Sequence, residues 1–264
     1  MSSWKHVAVA TEAVLVAGAL QKERYGSKDL DIQYKGEIDL VTAVDRACEA
    51  AIVGLLRRRF PDHDIVTEET DLERRGSRYV WFVDPLDGTT NFAHGYPFFC
   101  SSVALTADGE VVAGAVYDPI KEELFTAERG AGAHLNGRSL RVTDRGDLLR
   151  SLLTTGFPYD LREDLAGTLR LFNRFMGVAR AIRRDGAAAL DLSYVAAGRA
   201  DGFWEERLRP WDVMAGALLV REAGGLVTRF DGSPLGLTAD EVVAANPLLH
   251  AKMLDIVRPG GPAS

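Results

Sequence analysis

The stretch Trp81-Phe82-Val83-Asp84-Pro85-Leu86-Asp87-Gly88-Thr89-Thr90-Asn91-Phe92 reads as an apolar strand that ends on an aspartate and enters a turn carrying a second one. Pro85 fixes its own φ and has no N–H to donate, while Gly88 permits conformations and close approaches closed to other residues. Such a segment can aim two carboxylates and a backbone carbonyl at one point, and an oxygen-only donor set suits Mg²⁺ or Mn²⁺ rather than Zn²⁺. Gly88, Thr89 and Thr90 can open a short helix whose free N–H groups face the same spot, a place for an anion. Asp-Pro-x-Asp-Gly is also a good β-turn with Asx hydrogen bonding, so the segment alone leaves both readings open.

Further acids surround it. Glu68 and Glu69 follow a strand-like run from Asp64 to Thr67, Asp39 and Asp45 flank the start of a helix, and Asp212 opens another in Pro210-Trp211-Asp212. Each has a plain alternative. Asp45 can complete a capping box with Thr42, adjacent glutamates on a loop are usually solvated, and the macrodipole favours an acid in a helix's first turn by about 0.3–1 kcal/mol. Strand-end acids at 68, 84 and 87 together with a helix-start acid at 212 are explained jointly by a cation cluster.

The rest of the chain alternates helix and strand signals without repeats, low-complexity tracts or long linkers. Val9, Ala13, Val16, Ala17 and Leu20 share one face of an amphipathic first helix, and Glu12 in its middle argues against a signal-peptide core. Val44, Ala47, Cys48, Ala51, Ile52, Leu55 and Leu56 share a face of a second helix. Strand-like runs follow at 64–67, 79–84, 99–106, 111–117 and 122–127, with Ala107-Asp108-Gly109 as a hairpin signal, which makes a sheet of sequence neighbours. Helices are expected at about 164–177, 187–197 and 211–223, then a strand at 225–230 and a frayed tail from Arg258. Strands followed by helices, with some mixing, indicate a layered α+β or α/β protein.

Composition excludes several classes. The 264 residues carry a formal charge of −7, against a basic nucleic-acid binder, and are 47% hydrophobic and 26% charged, as in an ordinary globular protein. Cys48 and Cys100 are too few for a disulfide scaffold and lack zinc-site spacing, so a reducing cytoplasm is the expected compartment. No uncharged apolar run reaches the ~18 residues that span a bilayer. Asp29-Leu30-Asp31 lacks the glycine and terminal glutamate of an EF-hand loop. His94 and His134 lie in turn-like contexts and read as structural or surface histidines.

Asp39-Leu40-Val41-Thr42-Ala43-Val44-Asp45, Glu68-Glu69, the Asp84 to Phe92 motif, Pro210-Trp211-Asp212, Ala215-Gly216 and Glu222-Ala223-Gly224-Gly225, in this order and spacing, resemble the inositol monophosphatase family. The resemblance implies a five-layered α/β/α/β/α sandwich, here a single domain over 1–264 with lobes of about 1–145 and 146–264, usually homodimeric. It implies Mg²⁺-dependent, often Li⁺-sensitive hydrolysis of phosphate monoesters, with two to three ions per site and Mn²⁺ as a substitute. Carried over by position, one metal takes Glu68, Asp84 and the Leu86 carbonyl; a second takes Asp84, Asp87 and Asp212; a looser third lies near Glu68. Thr89 with Asp45 orients and helps deprotonate water, Asp39 supports them, and Lys35 belongs to a closing loop.

On the substrate side, Gly186-Ala187-Ala188-Ala189-Leu190-Asp191 resembles the family's substrate strip, with Gly186, Ala187, Ala188 and Ala189 as its contacts, and Glu205 its acceptor for sugar or cyclitol hydroxyls, beside Asp87, Gly88, Thr89 and Asp212. Alanines at 187–189 are also good helix packing in their own right. Ala187 replaces a frequent Ser or Thr, Arg207 a small residue, and Thr67 a frequent glycine. The Thr89-Thr90-Asn91-Phe92 ending favours myo-inositol 1-phosphate as substrate over adenosine bisphosphate or histidinol phosphate. Histidinol phosphate or fructose 1,6-bisphosphate remain alternatives, since Arg183, Arg184, Arg207 and Arg209 could meet a second phosphate or form a solvated face. Some bacterial relatives also bind transcription partners, which makes an interaction role the competing reading.

Overall fold

The computed structural model describes residues 4–27, 30–34, 40–158, 160–238 and 240–258. Lys35 and Asp39, Asp29 of the EF-hand comparison, and the expected frayed tail beyond Arg258 lie outside them.

Two helices, α1 (Trp4–Arg24) and α2 (Ala43–Arg59), pack together and cover one face of the first sheet. Val9, Ala10, Ala13, Val14 and Ala17 form the buried stripe of α1, whereas Val16, expected on that face, is 41% exposed and Leu20 is only partly covered. The small residues decide the rotation. A Cβ on Gly18 would lie 2.4 Å from the Tyr117 ring, so the side bearing glycine and alanines is the one that fits against the sheet. Between α1 and α2, the short strands β1 (Gln33–Tyr34) and β2 (Leu40–Val41) pair antiparallel.

The first sheet runs in sequence order: β3 (Asp64–Thr67), β4 (Tyr79–Asp87), β5 (Cys100–Ala107), β6 (Glu110–Asp118), β7 (Glu123–Glu128), β8 (Gly132–Leu135) and β9 (Arg138–Ser139). Only β3 and β4 are parallel. The expected hairpin joins β5 to β6 through Asp108 and Gly109, both at positive φ, the backbone of the turn that matches strand twist. One irregularity positions the site. Asp84 pairs with Ser102 and Asp87 with Cys100, so β4 carries one extra residue across a bulge. Two residues three apart would face opposite sides of a regular strand; the bulge brings Asp84 and Asp87 to the same side. The cores agree, since Val80 and Phe82 pack on one face of the sheet while Trp81, Val83 and Leu86 pack on the other.

That shared side faces the central helices α5 (Ala188–Ala196) and α6 (Pro210–Glu222), which lie between the two sheets. The second sheet has the order β11 (Ala181–Arg183), β10 (Leu152–Thr155), β12 (Gly202–Glu206), β14 (Glu241–Ala245), β13 (Leu226–Thr228). Its far face carries α4 (Leu165–Met176) and α7 (Pro247–Val257) around Phe175, Trp204 and Met253. Helix pair, sheet, helix pair, sheet and helix pair thus stack in the expected layered order, with α3 (Thr89–Ala93) as a single turn at the end of β4. The helices at 164–177, 187–197 and 211–223 match α4, α5 and α6 with their caps. The strand expected at 225–230 is shorter, Leu226–Thr228, because the chain turns back at 229–232 through an Arg229 to Gly232 backbone bond. Strands β10, β12 and β14 and helix α7 carried no distinct sequence reading.

Candidate active site

The end of β4 gathers the acids. Asp84 is 2% exposed, and its Oδ1 accepts the Leu86 N–H at 3.0 Å, the Asx bond of the turn reading, so turn and acid cluster coexist. Burial first, then the carboxylates of Glu68, Asp87 and Asp212, push its carboxyl well above the usual range. Burial and Asp212 raise Asp87 to about 8, against N–H groups of α5 that favour its ionised form. Glu68 follows β3, beside the Val83 carbonyl of β4 to which its N–H donates at 3.3 Å. Asp212 stands in the first turn of α6, where Oδ2 accepts the Arg209 N–H at 2.7 Å, so it caps the helix as well as joining the cluster.

Among the described residues no group of three or more His, Cys, Asp or Glu makes a ready-made metal cage. Glu68, Asp84, Asp87 and Asp212 are electrostatic neighbours. Like charges gathered around the buried Asp84, with Glu68, Asp87 and Asp212 partly buried beside it, are costly without a counter-charge, and their hard oxygen donors fit a divalent Mg²⁺-type cation. The Leu86 carbonyl lies 2.9 Å from Thr89 Oγ1, where it competes with Asp45 for the single hydroxyl proton; with that proton on the Asp45 side its lone pairs are open to a cation.

Thr89 and Asp45 meet beside this cluster. Thr89 Oγ1 lies 3.0 Å from Asp45 Oδ1. Asp45 Oδ2 accepts both the N–H of Thr42, at 2.8 Å, and its hydroxyl, at 2.6 Å, completing the capping box of α2. The capping alternative is therefore true, and it holds the second oxygen toward Thr89. Burial raises the Asp45 carboxyl while these hydrogen bonds oppose the rise. Gly88 enters α3 at φ +90°, and a Cβ there would meet the Phe98 carbonyl oxygen at 3.0 Å, so both backbone and space demand glycine.

The strip at 186–189 joins the same site. Ala187 is the N-cap of α5, and the Ala189 N–H donates to Asp87 Oδ2 at 2.7 Å. Asn91 Nδ2 binds the carbonyls of Phe98 and Asp185 at 2.7 and 2.8 Å, tying α3 to the strip. Glu205 is 8% exposed; burial, then Asp212 and Asp87, raise its carboxyl, and Arg184 opposes them. Arg207 is engaged with Asp160 at 2.7 Å, and Arg184 lies over the Phe157 ring at 5.7 Å. His94 is the exposed C-cap residue of α3 and His134 sits half-buried within β8.

Two supporting residues, Glu49 and Gln21, escaped the sequence reading. Glu49, one turn after Asp45 on α2, accepts the Thr67 hydroxyl and the Glu69 N–H, holding the loop that presents Glu68. Its signal was an acid on the buried face of a helix. Gln21 of α1 donates to the Pro85 carbonyl and to Ser101 Oγ, both at 2.8 Å, bracing the bulge from behind. Asp191, the last residue of the expected strip, is fully buried in α5 with both carboxylate oxygens unpartnered; Asp185, Glu205 and Asp87 add to burial in raising its carboxyl.

Comparison with known proteins agrees with this architecture. The description "Inositol monophosphatase family" matches residues 4–259. The inositol-1-monophosphatase of Synechocystis is 44% identical over 93% of this chain and 86% of its own. The Nus factor SuhB of Pasteurella multocida is 44% identical over 95% of both chains. A crystal structure of the extragenic suppressor protein suhB from Bartonella henselae superposes with a TM-score of 0.91 at 41% identity, covering 98% of this chain and 100% of that one. The chain belongs to the inositol monophosphatase family.

Proposed function

We propose that this protein hydrolyses small phosphate monoesters with Mg²⁺, myo-inositol 1-phosphate first among them, releasing inositol and phosphate by attack of water. The observation that carries the reading is the Thr89–Asp45 hydrogen bond set beside four neighbouring carboxylates. Glu68, Asp84, Asp87, Asp212 and the Leu86 carbonyl would hold two to three divalent ions, with Mn²⁺ as a substitute. When bound, these cations polarise the phosphoryl oxygens and lower the pKa of water. Thr89 holds the attacking water by its hydroxyl, and Asp45 Oδ1 receives the proton through it. The phosphate lies by the Gly88-Thr89 turn. Asp87 is fixed by the Ala189 N–H, and the strip and Glu205 orient the organic group.

The family match and the 44% identity to an inositol-1-monophosphatase support this substrate. Mg²⁺-dependent phosphate release is measured on inositol 1-phosphate, histidinol phosphate, fructose 1,6-bisphosphate and adenosine 3′,5′-bisphosphate, with Asp87→Asn as the blank. Inositol phosphate leading the panel supports the reading; another ester in the lead keeps the site and moves the substrate; inactivity on all four overturns it.

A second reading, an interaction role in transcription, draws on the 44% identity to a protein named Nus factor SuhB. The net charge of −7 argues against direct phosphate-backbone contacts, so a protein partner is the form it would take. The exposed apolar stripe of Leu165, Leu169 and Met176 on α4 supports a homodimer. Among the described residues no helix is long and apolar enough to cross a membrane, and the two cysteines are free, in keeping with a cytoplasmic setting.

A further inference from the structure

Glu205 and Gly156 stand side by side. Strands β10 and β12 run parallel with Leu153 opposite Gly202, Thr154 opposite Phe203 and Thr155 opposite Trp204, so the next step of the register sets Gly156 beside Glu205. Thr155 Oγ1 donates to the Trp204 carbonyl at 2.7 Å and locks the strands at that point. A Cβ on Gly156 would fall 2.1 Å from Glu205 Oε1 and 2.2 Å from Oε2, far inside contact distance. Yet the Gly156 backbone lies outside the left-handed region, so any L-residue could adopt it. What glycine supplies here is space, and the group that fills the space is a buried carboxylate.

The Glu205 carboxylate interacts electrostatically with Asp212 and Asp87 of the acid cluster and with Arg184 of the 183–186 segment, so it lies within reach of both. Its buried oxygens lie directly over the Gly156 Cα at the end of β10.

We propose that Gly156 is a specificity-determining positioning residue. Lacking a side chain, it lets the Glu205 carboxylate sit where the hydroxyl groups of a polyhydroxylated organic moiety donate to it. This rests on the phosphatase reading above. A methyl group at 156 displaces the Glu205 carboxylate and leaves Thr89, Asp45 and the β4 acids where they are. Discrimination for hydroxyl-bearing esters falls, and hydrolysis of an ester without hydroxyls persists.

The test is a double-mutant cycle of Gly156→Ala and Glu205→Ala, with KM and kcat measured on inositol 1-phosphate and on p-nitrophenyl phosphate, and melting followed for each variant. A lost hydrogen bond to a charged acceptor corresponds to about a tenfold effect or more. Gly156→Ala is expected to raise KM for inositol 1-phosphate by about that factor and to leave p-nitrophenyl phosphate kinetics near wild type. The double variant is expected to match Glu205→Ala alone, because the effect of residue 156 passes through Glu205. Glu205→Asp in the Gly156→Ala background, one methylene shorter, is expected to recover part of the loss. If Gly156→Ala also destabilises the fold, removing Glu205 restores the melting temperature. Equal losses on both esters, additive losses in the cycle, or unchanged KM for inositol 1-phosphate would overturn the proposal while the phosphatase reading stands. A wild-type protein inactive on both esters removes that reading, and the proposal with it.

Discussion

The Thr89 hydroxyl lies 3.0 Å from Asp45 Oδ1, joining residues 44 apart in sequence. Asp45 reaches it while its other oxygen caps the helix on which it stands, so the interaction that starts α2 also fixes the orientation of the candidate base. One turn further on, Glu49 grips Thr67 and Glu69. The buried face of α2 therefore sets both the water side of the site and the loop of Glu68.

If this pair handles the proton, Thr89→Val and Asp45→Asn lower kcat by about 10²–10⁴-fold. Asparagine keeps an acceptor for the Thr42 N–H, and so the fold should survive, as a near-wild-type melting temperature would show. Thr89→Ser, which retains the hydroxyl, should keep much of the rate. Normal turnover in Thr89→Val would remove the dyad from the mechanism.

The acid cluster makes a prediction about metal removal. Ligands that bind only the folded state stabilise it, so Mg²⁺ is expected to raise the melting temperature of wild-type protein and chelation to reverse the gain. Asp87→Asn and Asp212→Asn should show a smaller Mg²⁺-dependent rise and lose activity by about a hundredfold or more. Their circular dichroism should stay that of the wild type. A full Mg²⁺ shift in both variants contradicts the proposed ligand set.

Gly88 is conformationally committed. The left-handed backbone alone should cost Gly88→Ala about 1–2 kcal/mol. The close contact with the Phe98 carbonyl adds to this. Denaturant unfolding should show the loss, and activity should fall with it because α3 carries Thr89. A variant as stable as wild type would show that the turn can relax around a methyl group.

Away from the site, His63 links stability to pH. It stacks between Phe60 and Tyr79, each 4.6 Å away, and its Nδ1 accepts the Trp81 Nε1–H at 3.0 Å. Burial first, then the charge of His6, lower its pKa to about 4 from 6.5. The folded value lies below the unfolded one, so its contribution is complete above about pH 6.5 and is lost as pH falls through about 4. His63 is only partly buried, and solvent screening moderates the effect. Melting temperatures from pH 7 to 4 should fall less steeply for His63→Phe than for wild type; parallel curves would show that His63 contributes nothing.

Legibility followed the range of the interactions. The Asp84 to Phe92 motif, the Thr42 cap and the Asp108-Gly109 hairpin are governed by neighbours a few residues apart, and each stands in the structure where the sequence places it. The burial stripe of α1 was partly misread because apolar residues lie on several sides of that helix, and contact with Tyr117 decides its rotation. Strands β10, β12 and β14 are four or five residues long, and their pairing rather than their composition makes them strands.

By itself, then, the sequence carried the resemblance to the family, the layered class of fold and the choice of the acids at 68, 84, 87 and 212 as candidates, because motifs and local periodicity are written in residue type and short-range spacing. The tertiary structure decided what depends on residues distant in the chain. It placed Asp84 and Asp87 on one face, through a bulge visible only against the register of β5. It set Glu49 and Gln21 behind the site. It also opposed Gly156 to Glu205 across two parallel strands, a contact whose steric meaning exists only once both backbones are fixed.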